Sequence, residues 1–261
     1  MVFDERLTID EDNRSNVIYD EHLVRYELAA RLAAGKKVLD IACGTGYGSN
    51  ILAQAGAEKV IGMDRSAEAV AEAKKNYQKI NLEYKEGDAE NIKEADKSFD
   101  LAVSFETIEH LQDADKYLAE IARVLSAEGL FLVSTPNREV FGQKNPFHLK
   151  EFTRGEFEAI LGKYFNNIII LEQTNGIASI IKGAANGKIF LSDSAKPLYF
   201  LAICSNNALN LAEFSQESIV SVNPAALDRM HNNPAVKLVD TIYSLIIRIP
   251  GAKSFLKLLS S

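Results

Sequence analysis

Between Lys36 and about Asn206 the chain alternates short apolar runs with longer stretches in which apolar positions recur every three or four residues. "KVLDIAC", unbroken between Gly35 and Gly44, predicts a buried strand, and "GSNILAQAG" behind it a short helix. "KVIGMD" predicts a second strand, and "SAEAVAEAKKNYQ" a helix that opens with Ser66 as its N-cap. "LEYKEGD" and "FDLAVSFE" follow as third and fourth strands. In "DADKYLAEIARVL" Tyr117, Leu118, Ile121, Val124 and Leu125 share one helical face, and "GLFLVSTPN" predicts a fifth strand that stops at Pro136.

Strand and helix in strict succession imply parallel strands joined by right-handed crossovers, with helices on both faces. The end of the pattern differs. The helix "TRGEFEAILGKYF" leads to "NNIIILEQT", and "KPLYFLAICS" follows with no long helix between, so these last strands are expected to pair antiparallel at the sheet edge. The expected fold is α/β: a doubly wound, Rossmann-like sheet of seven mostly parallel strands with an antiparallel edge strand. It forms one domain over residues 1–206, of which 1–35 hold a helical cap, "YDEHLVRYELAARLA", over the crevice at the strands' carboxyl ends. The insert "NGIASIIKGAANGKIFLSDSAK" is placed to shape a pocket.

Residues 207–261 read as an Asn- and Ser-rich linker followed by an apolar, basic tail, "AVKLVDTIYSLIIRIPGAKSFLKLLSS". Packing on its own domain or on a second subunit is expected of this helical tail. Contact with an anionic membrane surface is the alternative.

A formal net charge of −7 excludes a broad nucleic-acid-binding face, which needs clustered Lys and Arg. Cys43 and Cys204 form neither a C-x-x-C pair nor a disulfide framework, and the acidic N-terminus has no apolar core. Both fit a cytoplasmic protein.

Gly44, Gly46 and Gly48 follow the first strand and let the backbone turn tightly against a ligand. Asp40, just ahead of them, would repel a pyrophosphate by roughly 1 to 4 kcal/mol and would attract an ammonium group. S-adenosylmethionine carries an α-ammonium and no phosphate, and so suits this turn. Asp64 ends the second strand, 18 positions after Gly46. That is close to the spacing of roughly 20 at which an acid takes ribose hydroxyls. Asp88 and the Ala89 amide, after the third strand, fall where an adenine edge would lie. Each aspartate alone is equally a cap or turn residue.

The order "VLDIACGTGYG", "VIGMDRS", "GDAENI", "FDLAVSFETIEHL" and "LSAEGLFLVSTPN" resembles the class I S-adenosylmethionine-dependent methyltransferases over about Lys36 to Asn206. Ala42 stands where many members have glycine. The resemblance implies a cofactor pocket lined by Gly44, Gly46, Asp64, Asp88, Ala89 and Phe105, with Arg25 of the cap helix reaching the methionine carboxylate; Asp40, Ala42, Arg65 and Glu90 complete the candidate cofactor-binding residues.

Methyl transfer to an alcohol needs a base, most often histidine. His110 follows the fourth strand in "FETIEHL", where Glu106, Glu109 and His110 share one face if the turn is helical. His148 lies in "KNPFHLKEFT" after the fifth strand. His110, His148 and Glu109 are the candidate catalytic residues. A base role ranks ahead of a metal site, so no metal is expected, although a similar E-x-x-E-H segment in quinone-pathway O-methyltransferases implies metal assistance. A narrower resemblance covers residues 5 to about 165, through "ERLTID", "EHLVRYELAA", "FETIEHL" and "NPFHLKEFT", to bacterial methyltransferases of polysaccharide and glycoconjugate biosynthesis. It implies a sugar hydroxyl or other glycan-linked acceptor, with a glycosyltransferase as partner; a homodimer is a further expectation. A small-molecule O-methyltransferase and a non-catalytic, cofactor-binding scaffold or sensor are the alternatives.

Overall fold

In a computed structural model of the chain, residues 17–142, 145–174 and 196–207 are described, with side chains from Asp20 onward. The expected linker and tail helix, and most of the insert before the last strand, lie outside these residues.

The described elements run α1 (Val17–Ala33), β1 (Lys37–Ile41), α2 (Tyr47–Gln54), β2 (Lys59–Asp64), α3 (Ala67–Asn76), β3 (Leu82–Glu86) and β4 (Phe99–Phe105). A 3-10 turn (Ile108–His110), α4 (Ala114–Val124), β5 (Leu125–Pro136), α5 (Arg138–Phe141), α6 (Arg154–Leu161), β6 (Asn167–Gln173) and β7 (Tyr199–Ser205) complete them. One seven-stranded sheet has the order β3-β2-β1-β4-β5-β7-β6. The first five strands of that order are parallel, and β7 runs antiparallel to both β5 and β6. The antiparallel pair expected at this edge is present, and the antiparallel strand is β7, one place in from the edge strand β6.

Alternation along the strands divides the core in two. Leu39, Ile41, Ala102, Phe131, Val133, Phe200 and Ala202 face α4 and α6. Val38, Leu101, Val103, Leu132, Leu201 and Ile203 face α1 and α2. Caps fix the helix starts: Ser66 accepts from the Ala69 amide as expected, Asp113 from that of Lys116, and Thr153 and Glu156 close a capping box on α6.

The cap helix α1 is built into the fold. Ala29 and Ala33 are fully buried. Its other end is fastened to the last strands: Arg25 Nε donates to Gln173 Oε1 at 2.8 Å, Gln173 Nε2 to the Glu21 carbonyl at 3.1 Å, and the Tyr199 hydroxyl to Glu21 Oε2 at 2.8 Å. Cys43 and Cys204 are free, buried thiols. Among the described residues no helix is long and apolar enough to cross a membrane.

Candidate active site

A cleft of about 640 Å³ opens over the carboxyl ends of the strands, the usual ligand position in such sheets. The turn Ala42–Thr45 after β1, Asp64 of β2, Phe105 and Glu106 at the end of β4, and Pro136 of β5 form its floor. His22, Tyr26 and Tyr47, with Phe141, Asn145, His148, Glu151 and Tyr199, complete the lining. Ala42 and Glu106, with φ of 56° and 53°, hold left-handed backbone that costs a non-glycine residue on the order of 1 to 2 kcal/mol. Both stand where a strand ends at the cleft, so the sharp exits from β1 and β4 are strained.

The three glycines have different reasons to be glycine. A Cβ on Gly44 (φ +53°) would meet nothing within 4 Å, which leaves the space above the turn open to a ligand. A Cβ on Gly46 would lie 2.6 Å from the Tyr84 hydroxyl, and one on Gly48 would lie 2.0 Å from the Tyr26 ring. Ligand approach therefore concerns Gly44, whereas Gly46 and Gly48 make room for tyrosines of the protein itself.

Asp40 is placed differently from the expectation. Two residues from Val38 in a strand of period two, it points to the face covered by α1 and α2 and is absent from the cleft wall. It is fully buried, and it accepts from Tyr26 Oη at 3.1 Å and Ser49 Oγ at 2.6 Å. The carboxylate therefore ties the cap helix to the sheet, and a ligand ammonium finds no partner in it. Burial pushes its pKa from the ordinary 3.8 up to about 7, against the pull of the Ser49 and Tyr26 hydroxyls. The folded protein holds this proton to about pH 7 while the unfolded chain releases it near 3.8, so the group's contribution to stability falls as pH rises through that window. Wild type should therefore lose stability relative to Asp40→Asn between about pH 4.5 and about pH 7.5, read from urea unfolding. A difference that stays constant with pH would refute this.

Asp64 stands where expected. Its Oδ2 accepts from the Gly44 amide and its Oδ1 from the Ser66 amide, each at 2.8 Å. Each oxygen keeps a lone pair for a hydroxyl donor. Phe105 packs edge-on to Tyr26, with centroids 5.0 Å apart. Arg25 is 1% exposed and lies behind the cleft lining, with Nη1 3.2 Å from Glu106 Oε1 and the guanidinium 4.2 Å over the Tyr199 ring. Among the described residues neither Nη makes a hydrogen bond, and the buried cation is balanced by the Glu106 carboxylate.

Arg65, Asp88, Ala89 and Glu90 are not among the lining residues. Arg65 and Asp88 are exposed, Ala89 packs on the core, and Glu90 Oε1 accepts from the Gln112 and Asp113 amides ahead of α4. The adenine end of the expected pocket is thus not enclosed by these side chains.

The structure joins Glu109, His110 and His148, whose ligating atoms lie within 4.8 Å of one another. Glu106 is not grouped with them on a helical face. The helical turn begins only at Ile108, and the Glu106 carboxylate is held by Ser134 Oγ at 2.6 Å and by Arg25. His110 Nδ1 lies 3.1 Å from the Phe147 carbonyl, and His148 Nδ1 2.7 Å from Glu151 Oε1. Both acceptors place a proton on Nδ1, which makes Nε2 the basic atom of each ring. Glu109 is fully buried, accepts from Thr135 Oγ1 at 3.2 Å and leaves Oε1 without a hydrogen bond. Burial first, and the Glu106 charge second, hold its pKa well above the usual carboxylate range.

Sequence reasoning missed Glu151, His22, Tyr26 and Tyr199. Glu151 had a signal, since "HLKE" sets an acid three residues after His148. His22 and Tyr26 are four apart on one helix, and both reach the cleft. The pKa of His22, pushed down to about 3 by burial and by the Arg25 charge, keeps it neutral. Only long-range pairing brings Tyr199 to the site.

Residues 39–133 match the sequence model of a methyltransferase domain. A protein of Mycolicibacterium smegmatis named "Probable S-adenosylmethionine-dependent methyltransferase" is 36% identical over 151 residues, 56% of this chain and 58% of the relative. A ubiquinone biosynthesis O-methyltransferase of Azorhizobium caulinodans is 32% identical over 41% of this chain and 42% of the relative. The chain thus spans under two thirds of these curated relatives. Among solved structures, a chain from the complex between the Haloferax volcanii Trm112 methyltransferase activator and a methyltransferase aligns with TM-score 0.56 and 20% identity, over 76% of this chain and 95% of that one. The fold and these relatives imply S-adenosylmethionine as cofactor, and the open space over Gly44 and the Asp64 lone pairs fit it. The described domain has the class I S-adenosylmethionine-dependent methyltransferase fold, with its methyltransferase-domain match over residues 39–133.

Proposed function

We propose that the protein transfers the methyl group of S-adenosylmethionine to a hydroxyl oxygen held beside His148 and His110, on a sugar or glycan-linked acceptor. The bound cofactor supplies an electrophilic methyl group. Asp64 would take its ribose hydroxyls, Arg25 its carboxylate, and Gly44 would lie against it. The observation that carries the hydroxyl reading is the buried Glu151 carboxylate on His148 Nδ1 at 2.7 Å. It fixes the ring with Nε2 as the base and stabilises the imidazolium that forms when the acceptor's proton arrives. Asn145 Nδ2 now lies 2.9 Å from that Nε2, in the position an acceptor hydroxyl would take as donor. The glycan class is supported by the sequence resemblance over residues 5 to about 165, and with it stands the proposed glycosyltransferase partner.

A second reading, methylation of a quinol-type phenol with a divalent cation, is favoured by the Glu109, His110 and His148 cluster. A cation there would take up the unpartnered Glu109 Oε1 and draw the Glu109 carboxyl back to its ionised form.

Calorimetric titration with S-adenosylhomocysteine tests the cofactor site. Asp64→Ala should weaken binding at least about tenfold, the worth of one charged hydrogen bond. Full affinity in the variant would remove Asp64 from the site. Manganese titration separates the two acceptor readings: the cation reading requires saturable binding that Glu109→Gln abolishes, and heat only of dilution leaves the base mechanism. Cofactor binding without methyl transfer, with the protein's function in the cell unchanged when both His110 and His148 become alanine, would instead support a scaffold.

A further inference from the structure

Four large hydrophobic residues are exposed by more than a third among the described residues: Ile80, Val140, Phe147 and Leu149. Ile80 lies between α3 and β3, while the other three fall within ten residues, on the segment that forms one wall of the cleft. Residues of this short segment divide between the two sides. Phe141, Asn145 and His148 line the cleft, whereas Val140, Phe147 and Leu149 face solvent. Backbone bonds fix the last two against the acceptor site: the Phe147 carbonyl accepts from His110 Nδ1 at 3.1 Å, and the Leu149 amide donates to the Glu109 carbonyl at 2.8 Å. Inside the mouth the rings of Phe141 and Tyr199 stand 5.6 Å apart.

Phe147 and Leu149 are 46% and 53% exposed, and such side chains clustered at one rim mark a contact surface for apolar material. Their backbone attachment to Glu109 and His110 makes the rim continuous with the place proposed for the acceptor oxygen. We infer that the acceptor is amphipathic: its hydroxyl head enters between His110 and His148, and an apolar portion leaves the cleft over Phe141, Phe147 and Leu149. This inference rests on the proposed hydroxyl acceptor and adds to it the chemical class of the rest of the molecule. A wholly polar oligosaccharide would gain nothing from these side chains, whereas a lipid-linked or alkylated hydroxyl compound would bury them.

Primary alcohols are the minimal probe, a hydroxyl on an alkyl chain of adjustable length. The chain, saturated with S-adenosylhomocysteine, is titrated calorimetrically with 1-butanol, 1-hexanol, 1-octanol and 1-decanol, and the histidine ring signals are followed by NMR. Affinity should rise roughly twofold to fourfold per methylene, the value for methylenes partly or wholly removed from water. The His110 and His148 signals should shift with each alcohol, and Phe147→Ser with Leu149→Ser should flatten the rise while S-adenosylhomocysteine affinity stays unchanged. Affinity independent of chain length, as when the chain's own segments cover the rim, overturns the inference. So does a rise that survives in the double variant, or one without histidine shifts. Failure of the proposed function is read separately, as loss of S-adenosylhomocysteine binding in the wild type.

Discussion

His148→Ala is expected to slow methyl transfer by roughly 10²- to 10⁴-fold, the range for loss of a positioned general base, with no change in S-adenosylhomocysteine affinity. His148 is held at both ring nitrogens, by Glu151 Oε1 at 2.7 Å and by Asn145 Nδ2 at 2.9 Å, and its side chain is 10% exposed. A ring so fixed has one free task, to receive a proton at Nε2. Glu151→Gln keeps a hydrogen-bond acceptor at Nδ1 and removes the charge that stabilises the imidazolium, so its loss should be smaller, about 10- to 100-fold. The assay follows a labelled methyl group into product for both variants. Wild-type turnover by His148→Ala would transfer the base role to His110 or to a bound cation.

The largest effect on stability is expected from Gly48→Ala. The new Cβ would lie 2.0 Å from Tyr26 Cζ. The ring cannot swing away cheaply, because Tyr47 and Phe105 pack edge-on to it at 5.4 and 5.0 Å and its hydroxyl is bonded to Asp40. A loss of about 3 kcal/mol, at the upper end of overpacking costs, should appear in urea unfolding. Gly44→Ala is the contrasting case. Its Cβ meets no protein atom within 4 Å, so stability should fall only by the left-handed backbone cost of about 1 to 2 kcal/mol. Cofactor affinity should fall as well, since the methyl group enters the ligand's space. Equal stability losses in the two variants would mean that α1 is not held through Tyr26.

The sheet was legible because its signal is local: each buried strand is an apolar run bounded by turn residues, and each helix shows its 3.6-residue period. The position of Asp64, last in its strand, was legible for the same reason. Asp40 was read by its charge and its closeness to the glycines. Its direction is set by the period of two, which puts it under α1 with Val38 and away from the cleft. Glu106, Glu109 and His110 have helical spacing, yet the positive φ at Glu106 precedes the turn and sends its carboxylate to Arg25 and Ser134. No local pattern announces a sharp exit from a strand. His148 met His110, with rings 4.8 Å apart, through a loop whose course depends on contacts far away in sequence.

The place of β7 has a consequence for the order of assembly. Among the described residues β6 pairs with β7 alone, although it leaves the ribosome some 25 residues earlier. Until residues 199–205 arrive, β5 is the open edge of a five-stranded sheet and β6 has no backbone partner in it. Tyr199, the first residue of β7, carries one wall of the cleft and the hydroxyl that fastens Glu21 of α1. The glycine turn and Asp64 can thus take their places on the nascent chain once β4 is formed, whereas the part of the cleft near Arg25 and Tyr199 closes last.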